Sequence, residues 1–317
     1  MIPSPVPHGS TSRRLAWELL PPTVRALVAE RCGSEVAAVD LQGAGFTPGF
    51  AAVVTGVDGS RHFVKAASVV AQRPFAEAYR QEARVLAALP AGTPAPRLRW
   101  QHADAAWVVL GLEHVPSRQP ARPWTPADLD ATLDALEVVA DLLDPAPAGL
   151  RLRSFVDDFA DLPGMWHELG PRGAEVPGLD AHASEAATLA AAYTRACAGT
   201  ALVHTDVRDD NVLVRPDGTA VLCDWNWPCA GAPWIDSVTA LIGPRGDGLD
   251  VEAVLAGRRL TAAVPADDVD VLLALLAGFF LRQATEPVPN SSPHLRAAQR
   301  WQGEVVWQWL GERRGWW

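Results

Sequence analysis

The sequence predicts an α+β protein of two lobes, a first built on an antiparallel sheet with one helix and a second that is mainly helical. Two observations carry this prediction. Between residues 36 and 64 short apolar runs alternate with turn signals, as half-buried strands do. From residue 125 onward the apolar spacing changes to three and four, the period of a helix with one buried face. No repeat and no low-complexity linker divides the 317 residues, so the two lobes are expected to share one cleft.

The elements follow in order. Residues 16–32 read as helical, interrupted at Leu20 and Pro21-Pro22, with Val24, Leu27 and Val28 on one face. Strands are expected at 39–41, 50–55 and 62–65, and Val57-Asp58-Gly59-Ser60 supplies the tight turn between the last two. A glycine-rich segment, 43–49, separates the first two. A helix over 75–89 is bracketed by Pro74 and Pro90, and two more strands are expected near 98–101 and 107–112. The predicted lobes are therefore 1–112 and 118–317, joined by a hinge at 113–117. Thr125-Pro126-Ala127-Asp128 opens a helix: a capping hydroxyl, proline in the first turn, and an acid favoured by the helix dipole. Further helices are expected at 184–198, 250–256, 267–282 and 295–312.

Composition narrows the function classes. A formal charge of -10 argues against nucleic acid as a partner, because a phosphate backbone would be repelled. It is compatible with a cationic substrate. The four cysteines form no C-x2-C pair, which fits reduced thiols in a cytoplasmic protein better than a zinc or redox site. The N-terminal residues carry no apolar signal core. The longest apolar stretch, 269–281, is broken by Asp270 and Gly278 and is too short to span a bilayer, so a buried helix and no membrane association are expected. Thirteen tryptophans against two tyrosines have no functional meaning at this level.

The chemistry concentrates in His204-Thr205-Asp206-Val207-Arg208-Asp209-Asp210-Asn211, followed by Cys223-Asp224-Trp225. An acid, an amide five residues later and a second acid after an apolar strand are the groups that phosphoryl transfer from ATP requires. Asp206 is the candidate base, aligning an acceptor oxygen more than stripping its proton. Asn211 and Asp224 offer hard oxygen ligands for Mg²⁺. Val212-Leu213-Val214 and Ala220-Val221-Leu222 flank the turn signal Arg215-Pro216-Asp217-Gly218, so a hairpin would bring Asp224 back beside Asn211. His204 is expected to brace the loop. Arg208 would neutralise phosphate charge or pair with a neighbouring acid. Asp210 lies one residue short of the ligand spacing that selects Asn211.

These motifs resemble those of the aminoglycoside phosphotransferase family, relatives of the choline kinases and more distantly of protein kinases. That family shows H-G-D-x4-N and I-D-W patterns, here His204-Thr205-Asp206 with Asn211, and Leu222-Cys223-Asp224-Trp225. Lys65 in Phe63-Val64-Lys65 is similar to the kinase V-A-I-K, and the resemblance spans roughly residues 40 to 240. It implies a bilobal protein-kinase-like fold that uses ATP and Mg²⁺ to phosphorylate a hydroxyl of a small molecule. Lys65 would hold the α/β-phosphates, steadied by Glu82, with Glu77 as the second choice of partner. Backbone amides of 43–49 and the Thr47 hydroxyl would approach the phosphates. Glu113, His114 and Val115 would supply hinge backbone groups to adenine. Gly231-Ala232-Pro233-Trp234-Ile235-Asp236 resembles G-D-P-x-x-D with Ala232 in place of an acid, and Asp236 is expected to brace the catalytic loop or a helix start.

The acceptor stays open. Aminoglycosides or other hydroxylated antibiotics are one reading, with Asp157, Asp158, Asp161 and Glu168 either receiving a polycation or simply solvating helices. A metabolite kinase acting on choline, homoserine or a sugar-like alcohol is a second. A catalytically silent nucleotide-binding scaffold is a third, opposed by the intact Lys65, Asp206, Asn211 and Asp224. No A-P-E-like segment follows Asp224, and the stretch 144–184 suits the wall of a small-molecule pocket better than a protein-kinase activation region.

Overall fold

The computed structural model describes residues 1–169 and 176–317. Strands β1 (Val36–Leu41), β2 (Phe50–Gly56), β3 (Arg61–Ser68), β4 (Leu98–Ala103) and β5 (Trp107–Glu113) form an antiparallel sheet in the order β1-β2-β3-β5-β4. Helix α1 (Pro22–Cys32) covers one face of this sheet: Leu20, Val24 and Val28 pack with Phe50, Ala52, Val54, Val64, Ala66 and Val109. Side chains alternate across a strand, so Lys65 is turned to the opposite face, towards helix α2 (Arg73–Ala88). On α2 the buried positions Tyr79, Glu82, Ala83 and Leu86 recur at helical spacing, which puts Glu82 on the side that meets the sheet.

The second lobe is mainly helical. Helix α3 (Pro126–Leu143) starts as expected, with the Thr125 hydroxyl accepting the Asp128 N–H at 3.2 Å. Short helices α4 (Phe155–Asp158) and α5 (Met165–Leu169) precede α6 (Leu179–Ala191) and α7 (Tyr193–Ala196). Then come strands β6 (Ala201–Val203), β7 (Val212–Val214), β8 (Ala220–Leu222) and β9 (Cys229–Gly231), followed by α8 (Ile235–Ala240), α9 (Ile242–Gly246) and α10 (Val251–Gly257). The long helices α11 (Ala266–Ala284) and α12 (Leu295–Arg314) complete the chain and pack on each other. Strands β7 and β8 form the predicted hairpin, Val212 opposite Leu222. Among the described residues no helix is long and apolar enough to cross a membrane.

The structure departs from the sequence expectations in three places. The helix expected at 184–198 begins earlier, after Gly178 at φ 73°, and ends at Ala191 before the separate α7. Strands β6 and β9 were not expected, because three buried residues are too few to show alternation. Residues 1–6, counted with the first lobe, lie on the second: the Ile2 N–H donates to the Gly246 carbonyl at 2.8 Å and the Trp301 indole donates to the Ile2 carbonyl at 2.6 Å.

Much of the tryptophan excess is structural. Trp307 donates to the Pro177 carbonyl, Trp309 to Glu252, Trp316 to Glu185 and Trp166 to the Ala274 carbonyl, so each buries a large surface and ties one polar end to a neighbouring element. Beside them Arg313 bridges the buried Asp270 at 2.5 Å and Glu252 at 2.7 Å, joining α12 to α11 and α10. Asp270→Ala leaves that guanidinium with Glu252 and the Ala266 carbonyl and takes a partner from Arg314 as well, and the expected loss is about 3 kcal/mol. A urea midpoint unchanged from wild type would show that the pair contributes nothing.

Candidate active site

Lys65 is the centre of the site. Its ammonium lies 2.7 and 2.8 Å from the two Glu82 oxygens and 2.6 Å from Asp224 Oδ1, so one side chain ties β3 to α2 and to the segment that follows β8. The Tyr79 ring stands 5.5 Å away and adds its π face. Burial opposes the charge on Lys65, but the Asp224 and Glu82 carboxylates outweigh it and hold Lys65 above its ordinary value. Burial also pushes Glu82 up, and Lys65 opposes this; the two short bonds from the ammonium mark Glu82 as the carboxylate. For Asp224 the attraction of Lys65 exceeds the cost of burial and keeps it below the usual carboxylate range. Glu77 is not the partner, since its side chain is largely exposed and paired with Arg80.

The catalytic-loop candidates sit opposite. The Asn211 amide nitrogen donates to Asp206 Oδ2 at 3.0 Å and to the Asp206 carbonyl at 2.8 Å. With its nitrogen committed there, its oxygen is the atom suited to a cation. The Cys223 N–H donates to the Asn211 carbonyl at 2.9 Å, so the β7–β8 hairpin does return Asp224 to the neighbourhood of Asn211. Arg208 bonds the other Asp206 oxygen and grips Asp210 through two nitrogens, each at 3.0 Å. Burial pushes Asp206 up to about 6; Arg208 works against this while Asp210 and Asp224 add to it. The Asp206 side chain nevertheless keeps 28% of its surface open and lines a cavity.

The loop is held from behind. Asp236 accepts the N–H groups of His204 and Thr205 at 2.6 and 2.9 Å. Burial lowers the affinity of His204 for a second proton, so its ring is neutral. Nδ1 faces the Asp206 N–H at 3.3 Å and accepts from it, which leaves the proton on Nε2 for the Cys223 carbonyl at 2.9 Å. Thr205 and Asp224 are non-glycine residues at φ 66° and 68°, a conformation that costs roughly 1–3 kcal/mol and persists only where surrounding bonds over-determine it. The Thr205 hydroxyl bonded to the Trp227 carbonyl and the Asp224–Lys65 pair are such bonds.

Glu113 closes β5, its carboxylate accepting the Arg97 N–H and its own N–H donating to the Arg97 carbonyl at 2.8 Å. Val115 follows, nearly buried, its carbonyl accepting from the Ser117 hydroxyl at 2.9 Å. Arg118 then exchanges backbone hydrogen bonds with Val214, which stitches the hinge to β7. In the glycine-rich segment Gly49 packs so tightly that an added Cβ would come within 2.6 Å of Tyr79 Oη. Thr47 takes part through its carbonyl.

That carbonyl reveals a residue the sequence did not. The Arg14 guanidinium reaches under the segment to the carbonyls of Gln42, Ala44 and Thr47, and its charge helps to lower Asp224. Thr11 and Ser12 hydroxyls bond the Gly45 carbonyl, and the Ser292 hydroxyl bonds that of Phe46. The Phe46 ring lies 5.4 Å from the Arg208 guanidinium. Arg14 stands about thirty residues from the carbonyls it holds, with no local motif to flag it.

Among the described residues no group of three or more His, Cys, Asp or Glu is arranged to hold a metal. The donor set still fits Mg²⁺, which is bound by one or two carboxylates and completed by phosphate oxygens and water. Asn226, 2% exposed, adds to it: its Oδ1 is buried without a hydrogen-bond partner while its nitrogen contacts Asp224. Asn211 and Asp224, with Asn226 close by, would hold such an ion.

No protein-family model matches the sequence and no curated protein matches it. Solved structures do match in fold. An aminoglycoside phosphotransferase from Alicyclobacillus acidocaldarius is 16% identical, with a TM-score of 0.61 over 94% of this chain and 96% of that one. An amicoumacin kinase solved with AMP-PNP, Ca²⁺ and its antibiotic is 13% identical, with a TM-score of 0.56 over 90% and 93%. The choline kinase LicA of Streptococcus pneumoniae is 12% identical, with a TM-score of 0.58 over 90% and 99%. The chain thus has the bilobal kinase-like fold that these small-molecule kinases share.

Removing the central cation tests its role. Lys65→Met leaves the buried Glu82 without a partner, at an expected cost of about 3–5 kcal/mol near pH 8. Glu82 unfolded titrates near its ordinary value, whereas folded and unpaired it is raised. The cost is therefore small below the unfolded pKa and grows as pH rises towards the folded one. Stability of the variant relative to wild type, followed by denaturant titration, should recover on going from pH 8 to pH 5. A deficit independent of pH would remove Glu82 from the explanation.

Proposed function

We propose that the protein belongs to the aminoglycoside phosphotransferase and choline kinase-like family and transfers the γ-phosphoryl group of ATP to a hydroxyl of a small molecule. The observation that carries this reading is Lys65 bonded to both Glu82 and Asp224, facing Asp206 tied to Asn211. A silent scaffold would have no use for two strained backbone positions and a base whose pKa is raised towards neutrality. The bound nucleotide analogue and divalent ion of the amicoumacin kinase support nucleotide and metal use here.

In the proposed reaction Asp206 accepts a hydrogen bond from the acceptor hydroxyl and orients its oxygen at the γ-phosphorus. As the new P–O bond forms, the bond to the β,γ-bridging oxygen breaks, ADP leaves, and the hydroxyl proton passes to Asp206. Lys65 neutralises the α/β-phosphates, with Glu82 fixing its direction. Asn211 and Asp224 would hold Mg²⁺, which would supply charge neutralisation to the phosphates. Arg208, beside Asp206, and Arg14, beneath the segment 43–49, would add two further cations near the phosphates. Main-chain groups of Glu113 and Val115 would meet adenine, and the segment 43–49 would cover the phosphates.

ADP formation measured over a panel of alcohol acceptors tests the reading. Wild type should turn over at least one acceptor, and Asp206→Ala should lower kcat by roughly 10²–10⁴-fold. Because Asp206 must be ionised to accept the hydroxyl proton, kcat/KM should fall as pH drops through about 6. If wild type and Asp206→Ala are equally inert while both bind ATP, the scaffold reading replaces this one.

A further inference from the structure

Asp206 opens onto a cavity of about 800 Å³, and the character of its walls bears on the acceptor. Resting on the phosphotransfer reading above, we propose that the acceptor is an amphipathic alcohol with a bulky apolar or aromatic body, rather than a polycationic aminosugar or a small metabolite.

The walls come from two helices whose remaining faces are already used. On α11 the positions Leu272, Leu276, Phe279 and Phe280 form one stripe at helical spacing, while the rest of the helix packs on α12, α6 and α5. On α12, Ala298 and Trp301 continue the apolar surface. Phe155, Phe159 and Leu162 close the far side, in the stretch 144–184 that the sequence assigned to a pocket wall, of which 170–175 lie outside the described residues. The N-terminal arm roofs it through Val6, Gly9 and Thr11. Leu276, Phe159, Phe279, Phe280 and Trp301 remain only half-buried, so an apolar ligand would remove them from water.

The charges inside do not favour a polycation. Among the described residues every carboxylate lining the cavity is already hydrogen-bonded or paired. Asp158 pairs with Arg153 at 3.0 Å, Asp209 with Arg122, Asp206 and Asp210 with Arg208, and Glu77 with Arg80. Asp247 accepts the Trp124 N–H at 2.7 Å. Of the four second-lobe acids suggested by the sequence for a cationic substrate, only Asp158 lines the cavity; Asp157 caps α4 with Ser154 and Glu168 pairs with Arg282. Apart from Asp247, whose hydrogen bond is to a backbone N–H, a polyamine would have to displace arginines to be neutralised. A choline-sized alcohol would fill a minor fraction of 800 Å³ and leave the aromatic walls wet.

Calorimetric titration of the full chain with four probes tests this: 2-naphthyl β-glucoside, a hydroxylated steroid, triglucosamine and choline. At least one apolar alcohol should bind about tenfold or more tightly than triglucosamine and choline, with a negative heat-capacity change and little dependence on salt. Phe279→Ser and Phe159→Ser should each weaken it about tenfold while retaining a wild-type melting transition; if either variant unfolds, the ranking of probes on wild type decides. Tighter, salt-sensitive binding of triglucosamine, or tighter binding of choline, overturns the proposal. Binding of none of the four by a protein that turns over ATP also overturns it, and leaves the phosphotransfer reading standing. Apolar alcohols that bind yet never yield a phosphoester, while another class of acceptor does, overturn the proposal and leave the phosphotransfer reading standing.

Discussion

One ammonium group holds the molecule in the arrangement on which everything else rests. Lys65 is buried between Glu82 from α2 and Asp224 from the segment after β8, and neither carboxylate would tolerate its position alone. Because the three groups come from the sheet, its covering helix and the second lobe, the pair of bonds also sets the relation of the lobes. The same geometry explains the backbone at Asp224. A left-handed aspartate is retained because its side chain completes the charge balance around Lys65.

A second set of contacts closes the cleft from the front. Residues 1–14 run from α9 and α12 across the cavity to the glycine-rich segment, where Arg14 collects three carbonyls. Ser292 and the Phe46–Arg208 contact press the same segment against the second lobe. Carbonyls that would otherwise face the phosphate region are thereby turned to a cation. The cleft is roofed by residues distant in sequence, and the roof belongs to the acceptor cavity as much as to the phosphate site.

What was legible in the sequence depended on whether the signal was local. Lys65 and Glu82 were legible through the resemblance of Phe63-Val64-Lys65 to V-A-I-K, whereas the helix phase and burial that separate Glu82 from Glu77 are visible only in the structure. The Asp206–Asn211 spacing and the turn at Arg215–Gly218 marked two segments that the hairpin brings together. Arg14, Asn226 and the Phe46 contact left no local trace, since each acts across tens of residues or through an orphaned atom visible only in three dimensions. The acids of the second lobe left two readings open. Their charge was visible, whereas the arginines that neutralise Arg153–Asp158 and Arg282–Glu168 were not. Acidity in a sequence speaks for a cationic ligand only after the internal pairs are subtracted.

For Asp224 to hold a divalent ion, it would have to exchange its bond to Lys65 for that ion when the nucleotide's phosphates bind. Titration of ATP into the wild type and Asp224→Asn, with and without Mg²⁺, tests this directly. In wild type Mg²⁺ should tighten ATP binding by roughly 5–150-fold, a coupling that Asp224→Asn abolishes. Equal ATP affinity with and without the ion in wild type, or coupling that survives in Asp224→Asn, would contradict it.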